Sequence, residues 1–187
     1  MTIKDEECEK IKCLYEKYKY LLYSEAYKIL PKQHLAEEIV QEVFVKIIEN
    51  IDSIGEIDSK RTKNFLCVIC RNLAINLYNK NNKEKFLNIE ELIYNEAESI
   101  NDFYDLVVDN DNVITIKQAI TELPEIYRDI LVLEKIYGYN AKEISKLINV
   151  SETVVRKRSQ RARKILSNEV GRSVKKWWQK MKKIKND

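Results

Sequence analysis

The sequence predicts an all-α protein made of two small helical domains joined by an acidic linker. Only 3 glycines and 2 prolines occur among its 187 residues, so sites for tight turns are few. Apolar residues instead recur at steps of three and four along several segments, which is the spacing of an amphipathic helix. Segment 84–111 lacks that spacing and contains nine acidic residues. The predicted domains are therefore residues 1–83 and 112–170, with a basic tail at 171–187.

The first two helices are predicted from their apolar stripes. Residues 11–30 form an amphipathic helix that ends before Pro31, because a proline disfavours helical geometry in the residue before it. Residues 34–51 form a second helix with a wide apolar face. The polar residues of this second helix make an acidic strip, which is a solvated face or a docking surface for a basic partner: Glu37, Glu38, Gln41, Glu42 and Lys46.

A loop and a third helix complete the predicted first domain, as a bundle of three to four helices. Turn-forming residues interrupt the pattern at 52–62, and a helix follows over 62–82 with Phe65 on its buried side. Its remaining polar and aromatic residues are predicted to lie on the surface, where amides and rings suit unpaired bases. These residues are Lys63, Arg71, Asn72, Asn76, Tyr78, Asn79 and Lys80.

Segment 140–166, NAKEISKLINVSETVVRKRSQRARKIL, predicts two helices joined by a sharp turn. A buried helix before it is expected to end at Gly138. Asn149 tolerates the left-handed backbone of the turn, and Ser151 is a good N-cap for the second helix. The outward side of that helix is what a major groove would meet, and it carries Thr153, Arg156, Lys157 and Gln160.

Basic charge is concentrated in the same part of the chain. From Arg156 to the C-terminus there are 13 Lys or Arg and 2 acidic residues, although the net charge of the chain is +3. Such a cationic end suits DNA, because neutralising phosphates releases condensed counterions. We expect phosphate contacts from Arg158, Arg161, Arg163 and Lys164. A helical hairpin with a solvated basic face is the plainer alternative for this segment alone.

The sequence offers little support for enzyme chemistry. His34 is the only histidine, and no phosphate-binding glycine loop is present. We predict no catalytic site, metal, cofactor or small-molecule substrate. Cys67 and Cys70 have zinc or redox spacing, but they lie in an apolar helical run, which favours buried thiols in a reducing compartment. A thiol or zinc sensor that uses this pair is an alternative.

Four segments carry a resemblance to a known family: LYEKYKYLLYSEAYKIL, AEEIVQEVFVKI, FLCVICRNLAINLY and LPEIYRDILVLEKIYGYNAKEISKLINVSETVVRKRSQRARKIL. In this order they resemble the extracytoplasmic-function (ECF) sigma factors of bacterial RNA polymerase, with a sigma2-like domain before a sigma4-like one. The joint match is more specific than any single motif. A dimeric helix-turn-helix regulator is the main rival, but it explains residues 112–170 only.

The resemblance implies roles for the surfaces described above. The second helix would dock on the clamp of the largest polymerase subunit through Glu38, Gln41 and Glu42. The loop at about 52–62 would hold a flipped base of the minus-ten element, next to a third helix that opens the duplex. The implied minus-ten residues are Lys63, Phe65, Arg71, Asn72, Asn76, Asn79 and Lys80. The implied minus-thirty-five residues are Ser151, Thr153, Arg156, Lys157, Gln160 and Arg161.

The same resemblance implies the partners. They are core RNA polymerase, at its clamp and its flap, promoter DNA, and an anti-sigma factor of the kind that is often membrane-anchored. We expect the protein in the cytoplasm, because no run of 18 uncharged apolar residues occurs. A membrane-anchored inhibitor could hold it there at the inner face of the membrane. The tail at 171–187 could form a helix with its apolar residues on one side. We favour packing of this side on the protein over contact with a membrane.

Overall fold

A computed structural model of the protein describes residues 5–81, 119–120 and 123–170. The described residues are helical apart from short connections and contain no strand, so the predicted all-α fold is confirmed. Within them no helix is both long enough and apolar enough to cross a bilayer. The chain divides into two compact units, Met1–Phe86 and Leu87–Asp187. The predicted linker at 84–111 and the tail at 171–187 lie outside the described residues.

Between residues 5 and 81 the N-terminal unit is a bundle of three α-helices that contact one another pairwise. They are α1 (Asp5–Ile29), α2 (Gln33–Glu49) and α3 (Lys60–Asn81). Buried residues recur every fourth position along α1, which turns one stripe of the helix toward the others: Leu14, Tyr18, Leu22 and Ala26. α1 begins six residues before the predicted start, and its first turn holds three acidic residues, which a helix N-terminus favours.

α3 is buried around its whole circumference. Every residue from Asn64 to Ile75 is buried, so all sides of this part of the helix are covered, and both α1 and α2 contact α3. The prediction that Arg71 and Asn72 lie on the surface is wrong. Arg71 Nη2 lies 3.7 Å from Glu25 Oε2, and Asn72 Nδ2 donates a hydrogen bond of 2.9 Å to its own helix. Both buried polar groups are therefore paired within the unit.

The C-terminal unit contains α4 (Glu125–Lys135), α5 (Ala141–Leu147) and α6 (Glu152–Val170), which also pack on one another. The predicted helix-turn-helix is formed by α5 and α6. Asn149 occupies the left-handed region at the turn, with φ of 51°. α4 ends at Lys135, three residues before the predicted end at Gly138, which has a positive φ of 76°. The largest fully buried side chains of the unit include Ile126, Ile130, Leu133 and Ile144.

A capping box begins α5, and the sequence analysis did not identify it. Asn140 Oδ1 accepts hydrogen bonds from the backbone N–H groups of Lys142 and Glu143, both at 3.0 Å. In return Glu143 Oε2 accepts the N–H of Asn140 at 2.7 Å. The first four N–H groups of a helix have no partner within it, and in this helix of 7 residues the cap satisfies two of them.

Replacing Asn140 with Ala should destabilise α5 by about 1 kcal/mol, because two N–H groups lose their acceptor. Amide hydrogen exchange at Lys142 and Glu143 should then be faster than in the wild type by about fivefold. Asn140→Asp is the matched control and should keep the protection, since aspartate caps equally well. Unchanged exchange in Asn140→Ala would contradict the assigned role of the cap.

Candidate polymerase and promoter interfaces

The residues predicted to dock on polymerase share the outward face of α2. Glu38 and Gln41 are exposed and Glu42 is half-buried, while the opposite face of the helix lies in the core. An open groove of about 520 Å³ adjoins this face between α1 and α2. Its lining combines tyrosine rings with polar side chains: Tyr15, Lys19, Tyr20, Tyr23, Gln33, Glu37, Val40 and Gln41.

Lys19, a basic residue in the lining of this groove, already contacts a carboxylate and two aromatic rings. Lys19 Nζ lies 2.6 Å from Glu16 Oε2 and 5.2 Å from the ring centroids of both Tyr15 and Tyr20. Tyr15 in turn presents its ring edge to Phe44, with 5.1 Å between centroids. The groove therefore offers aromatic surface beside the carboxylate of Glu37, which suits a partner with arginine or lysine side chains.

The seven predicted minus-ten residues divide into a buried group and an accessible group. Phe65, Arg71 and Asn72 are 3%, 6% and 1% exposed. The accessible residues lie at the two ends of α3: Lys63 near its start, and Asn76, Asn79 and Lys80 near its end. The side-chain oxygen of Asn79 is buried and accepts no hydrogen bond among the described residues, which is uncommon in a folded protein.

The loop before α3 has a defined hydrogen-bonded structure. Ser59 Oγ accepts the backbone N–H of Thr62 at 3.0 Å, which caps the start of the helix. The hydroxyl groups of Ser59 and Thr62 both donate to the carbonyl oxygen of Glu56, at 2.9 and 2.7 Å. These hydrogen bonds join the loop to the first turn of α3.

The structure places all six predicted minus-thirty-five residues on one exposed surface. Ser151, Thr153, Arg156, Lys157, Gln160 and Arg161 are exposed at the start and along the outer side of α6. The guanidinium group of Arg156 donates two hydrogen bonds to Glu152 Oε1, from Nε at 3.0 Å and from Nη2 at 2.5 Å. Glu152 is a residue of this surface that the sequence analysis missed.

Two of the arginines predicted to contact phosphates lie beside residues of α4. Arg163 Nη2 donates to Glu134 Oε2 at 2.9 Å and to Ser159 Oγ at 2.6 Å. Burial lowers the pKa of Arg158, whereas the nearby Tyr127 and the buried Asp129 act to raise it. Arg158 is half-buried, whereas Arg163 is exposed like Arg161 and Lys164 but is paired with Glu134.

Comparison with known families accounts for both units. Residues 14–84 match the family model described as Sigma-70 region 2, and residues 114–166 match the one described as Sigma-70, region 4. The chain belongs to the sigma-70 family. The ECF RNA polymerase sigma factor SigW of Bacillus subtilis (strain 168) is 29% identical over 163 residues, covering 82% of this chain and 84% of that protein.

The chain is also similar to a second ECF sigma factor and to a sigma factor of known structure. The ECF RNA polymerase sigma factor SigM of Bacillus subtilis (strain 168) is 29% identical over 143 residues, which cover 74% of this chain and 82% of that protein. A solved structure of the sigma factor RpoE in complex with the anti-sigma factor NepR from Bartonella quintana is 20% identical. It covers 89% of this chain and 96% of that one, with a TM-score of 0.36, a likeness that carries no argument about partners.

The region 2 match separates the sigma factor from the rival DNA-binding regulator. A dimeric helix-turn-helix regulator would use only the C-terminal unit and would leave α1, α2 and α3 without a role. Those three helices lie within residues 14–84 apart from the start of α1, and they match Sigma-70 region 2. The family therefore accounts for the described parts of both units.

The cysteine pair of this sigma factor has the environment of core residues. Cys67 and Cys70 are buried, and the thiol of Cys70 donates to the carbonyl oxygen of Leu22 at 3.3 Å. Burial raises the pKa of Cys70 strongly, so the thiol stays protonated and is a poor nucleophile. Among the described residues no group of three or more His, Cys, Asp or Glu could hold a metal ion. These observations favour the core interpretation over the sensor.

We expect a thiol-specific reagent to modify the 4 cysteines in two classes. Cys8 and Cys13 are exposed and should react at once, whereas Cys67 and Cys70 should react only after unfolding in denaturant. The measurement is a thiol titration of the native and the unfolded protein. Rapid reaction of all four thiols, or stoichiometric zinc that protects two of them, would revive the sensor interpretation.

Proposed function

We propose that this sigma factor binds core RNA polymerase through the outward face of α2 and directs it to promoters that α6 reads at the minus-thirty-five element. The observation that carries the proposal is the single exposed surface formed by the six minus-thirty-five residues of α6. Exposed polar and basic side chains at the start of such a helix can reach base edges in a major groove. The described part of the other unit offers the acidic face for the polymerase.

Docking on polymerase is proposed for Glu38, Gln41 and Glu42. Their helix turns its apolar residues into the bundle, so these side chains can form an interface without unfolding the unit. The adjoining tyrosine-lined groove adds rigid aromatic surface, which is common at the centre of protein interfaces. A basic helical segment of the polymerase clamp is the partner that this surface fits.

Recognition of the minus-ten element is proposed for the accessible ends of α3. Lys63 can contact phosphate at one end, and Asn76, Asn79 and Lys80 can meet unpaired bases and phosphate at the other. Phe65, Arg71 and Asn72 would contribute only if their side of α3 became uncovered. Melting then needs no catalytic residue of the sigma factor, because binding unstacked bases more tightly than paired ones drives the opening.

Two further proposals concern partners and chemistry. An anti-sigma factor is proposed from the family resemblance, and a pull-down that recovers only polymerase from non-inducing cells would contradict it. We also propose that the protein is not an enzyme, since its family consists of transcription factors.

Run-off transcription on genomic DNA fragments tests the main proposal. Core polymerase with the wild-type protein should produce transcripts that are absent without it, because the sigma factor supplies promoter recognition. A variant with Glu38, Gln41 and Glu42 replaced by Ala should lose these transcripts and its affinity for core polymerase. A control with Asp5, Glu6 and Glu9 replaced by Ala removes three exposed acids of α1 and should remain active. Wild-type protein that fails to bind core polymerase would overturn the proposal.

The salt dependence of promoter binding should identify the phosphate contacts of α6. Replacing the exposed Arg161 or Lys157 with Ala should lower the slope of log K against log salt by about 0.9 for each phosphate that is no longer neutralised. Arg163→Ala should leave that slope unchanged, because its guanidinium binds Glu134. The measurement is a salt titration of holoenzyme on an upstream promoter fragment. A slope that falls only in Arg163→Ala would reverse the assignment.

A further inference from the structure

The loop between α2 and α3, residues 50–59, is fastened to α1 by three side chains. The ammonium group of Lys10 donates to the carbonyl oxygen of Ile54. The hydroxyl of Tyr18 donates to the carbonyl oxygen of Ile57 at 2.6 Å. Lys17 forms an ion pair with Asp58. Two regions of one helix, about two turns apart, thus hold a loop that lies about forty residues further along the chain.

Tyr18 makes the attachment that is middle in the order of the loop residues, at Ile57. Its side chain is 4% exposed and belongs to the buried stripe of α1, so the bundle core fixes the position of its ring. Burial raises its pKa, so the hydroxyl keeps its proton and remains a donor. The ion pair of Lys17 with Asp58 is more exposed, at 42% and 80%, and exposed pairs of this kind contribute little.

The attachments leave a short stretch of the loop open between two fixed points. On one side the carbonyl oxygen of Ile54 is held by Lys10, and on the other the carbonyl oxygen of Glu56 accepts the hydroxyls of Ser59 and Thr62. Gly55 lies between them, and a Cβ atom added there would meet nothing within 4 Å. The backbone at Gly55 therefore faces open space while its neighbours are held in place.

We infer that Tyr18 and Lys10 are positioning residues that hold this loop in the shape required to capture an unstacked promoter base. The inference rests on the proposed function and on the role that the family resemblance implies for this loop, which is to hold a flipped base of the minus-ten element. A receptor that is already ordered avoids the conformational entropy of ordering when the base arrives. Neither side chain needs to touch DNA, because each acts on the backbone carbonyl groups of the loop.

The test combines loop variants with removal of the captured base. Tyr18→Phe deletes only the hydroxyl, and Lys10→Met removes the second attachment while it keeps most of the side chain. Tyr27→Phe is the control, because Tyr27 is an exposed tyrosine of the same helix whose ring stacks on Tyr23. Each holoenzyme is assayed on a promoter from the run-off experiment, intact or with a single abasic site placed at successive minus-ten positions. Permanganate reactivity of unpaired thymines reports the open complex.

On the intact promoter, Tyr18→Phe and Lys10→Met should form open complexes about 2- to 10-fold less well than the wild type, the range for one lost hydrogen bond. Tyr27→Phe should match the wild type. On the promoter whose abasic site removes the captured base, the wild type should form fewer open complexes than on the intact promoter. The two loop variants should show no further loss of open complexes on this template. A variant that has merely lost stability or polymerase affinity would be impaired equally on both templates.

Two results would overturn the inference. Either Tyr18→Phe and Lys10→Met match the wild type on the intact promoter, or their defects persist undiminished on the abasic template. A different result would count against the proposed function itself. If no abasic position weakens the wild type, the loop captures no base, whatever the loop variants do. Polymerase binding by the α2 face is measured separately and is unaffected by that outcome.

Discussion

The N-terminal unit depends on the burial of one stripe of α1. Leu14, Tyr18, Leu22 and Ala26 recur every four residues and lie against the other two helices, and each large apolar side chain buried in this way contributes about 1.5 to 3 kcal/mol. Because this packing sets the rotation of α1, it also decides where Lys10 and Lys17 point. The same packing turns the acidic side of α2 outward. Core packing and the geometry of the interface surfaces are thus set together.

The basic side chains of α6 form two groups, one beside α4 and one on the outer side of the helix. Arg163 donates to Glu134 of α4, and the half-buried Arg158 lies near Tyr127 and Asp129 of the same helix. Arg156, Lys157 and Arg161 stay on the outer side of α6. Exposed ion pairs such as that of Arg163 with Glu134 contribute little net stability. The buried stripe of α6, which includes Val155, Ala162 and Leu166, determines which side of the helix faces outward.

Local patterns in the sequence predicted the helices, because apolar spacing reports which side of a helix is buried. The same patterns predicted the helix-turn-helix and its exposed residues, including Asn149 at the turn. They failed for Arg71 and Asn72, because an amphipathic pattern shows one buried side and cannot show that the opposite side is covered too. They also missed every interaction between distant residues, such as Tyr18 with Ile57 and Arg163 with Glu134. No spacing rule connects residues 39 or 29 positions apart.

The distribution of thiols gives the protein its own sites for spectroscopic labels. Cys8 and Cys13 are exposed on α1, whereas the other two cysteines are enclosed in the bundle. Cys13 is separated by three positions from Lys10 and by four from Lys17, so one helical turn lies between it and each of these loop attachments. A fluorophore or spin label on Cys13 would therefore sit beside the junction between α1 and the loop. Once the exposed Cys8 is replaced with Ser, promoter opening could be followed in real time at that point, with both core cysteines left in place.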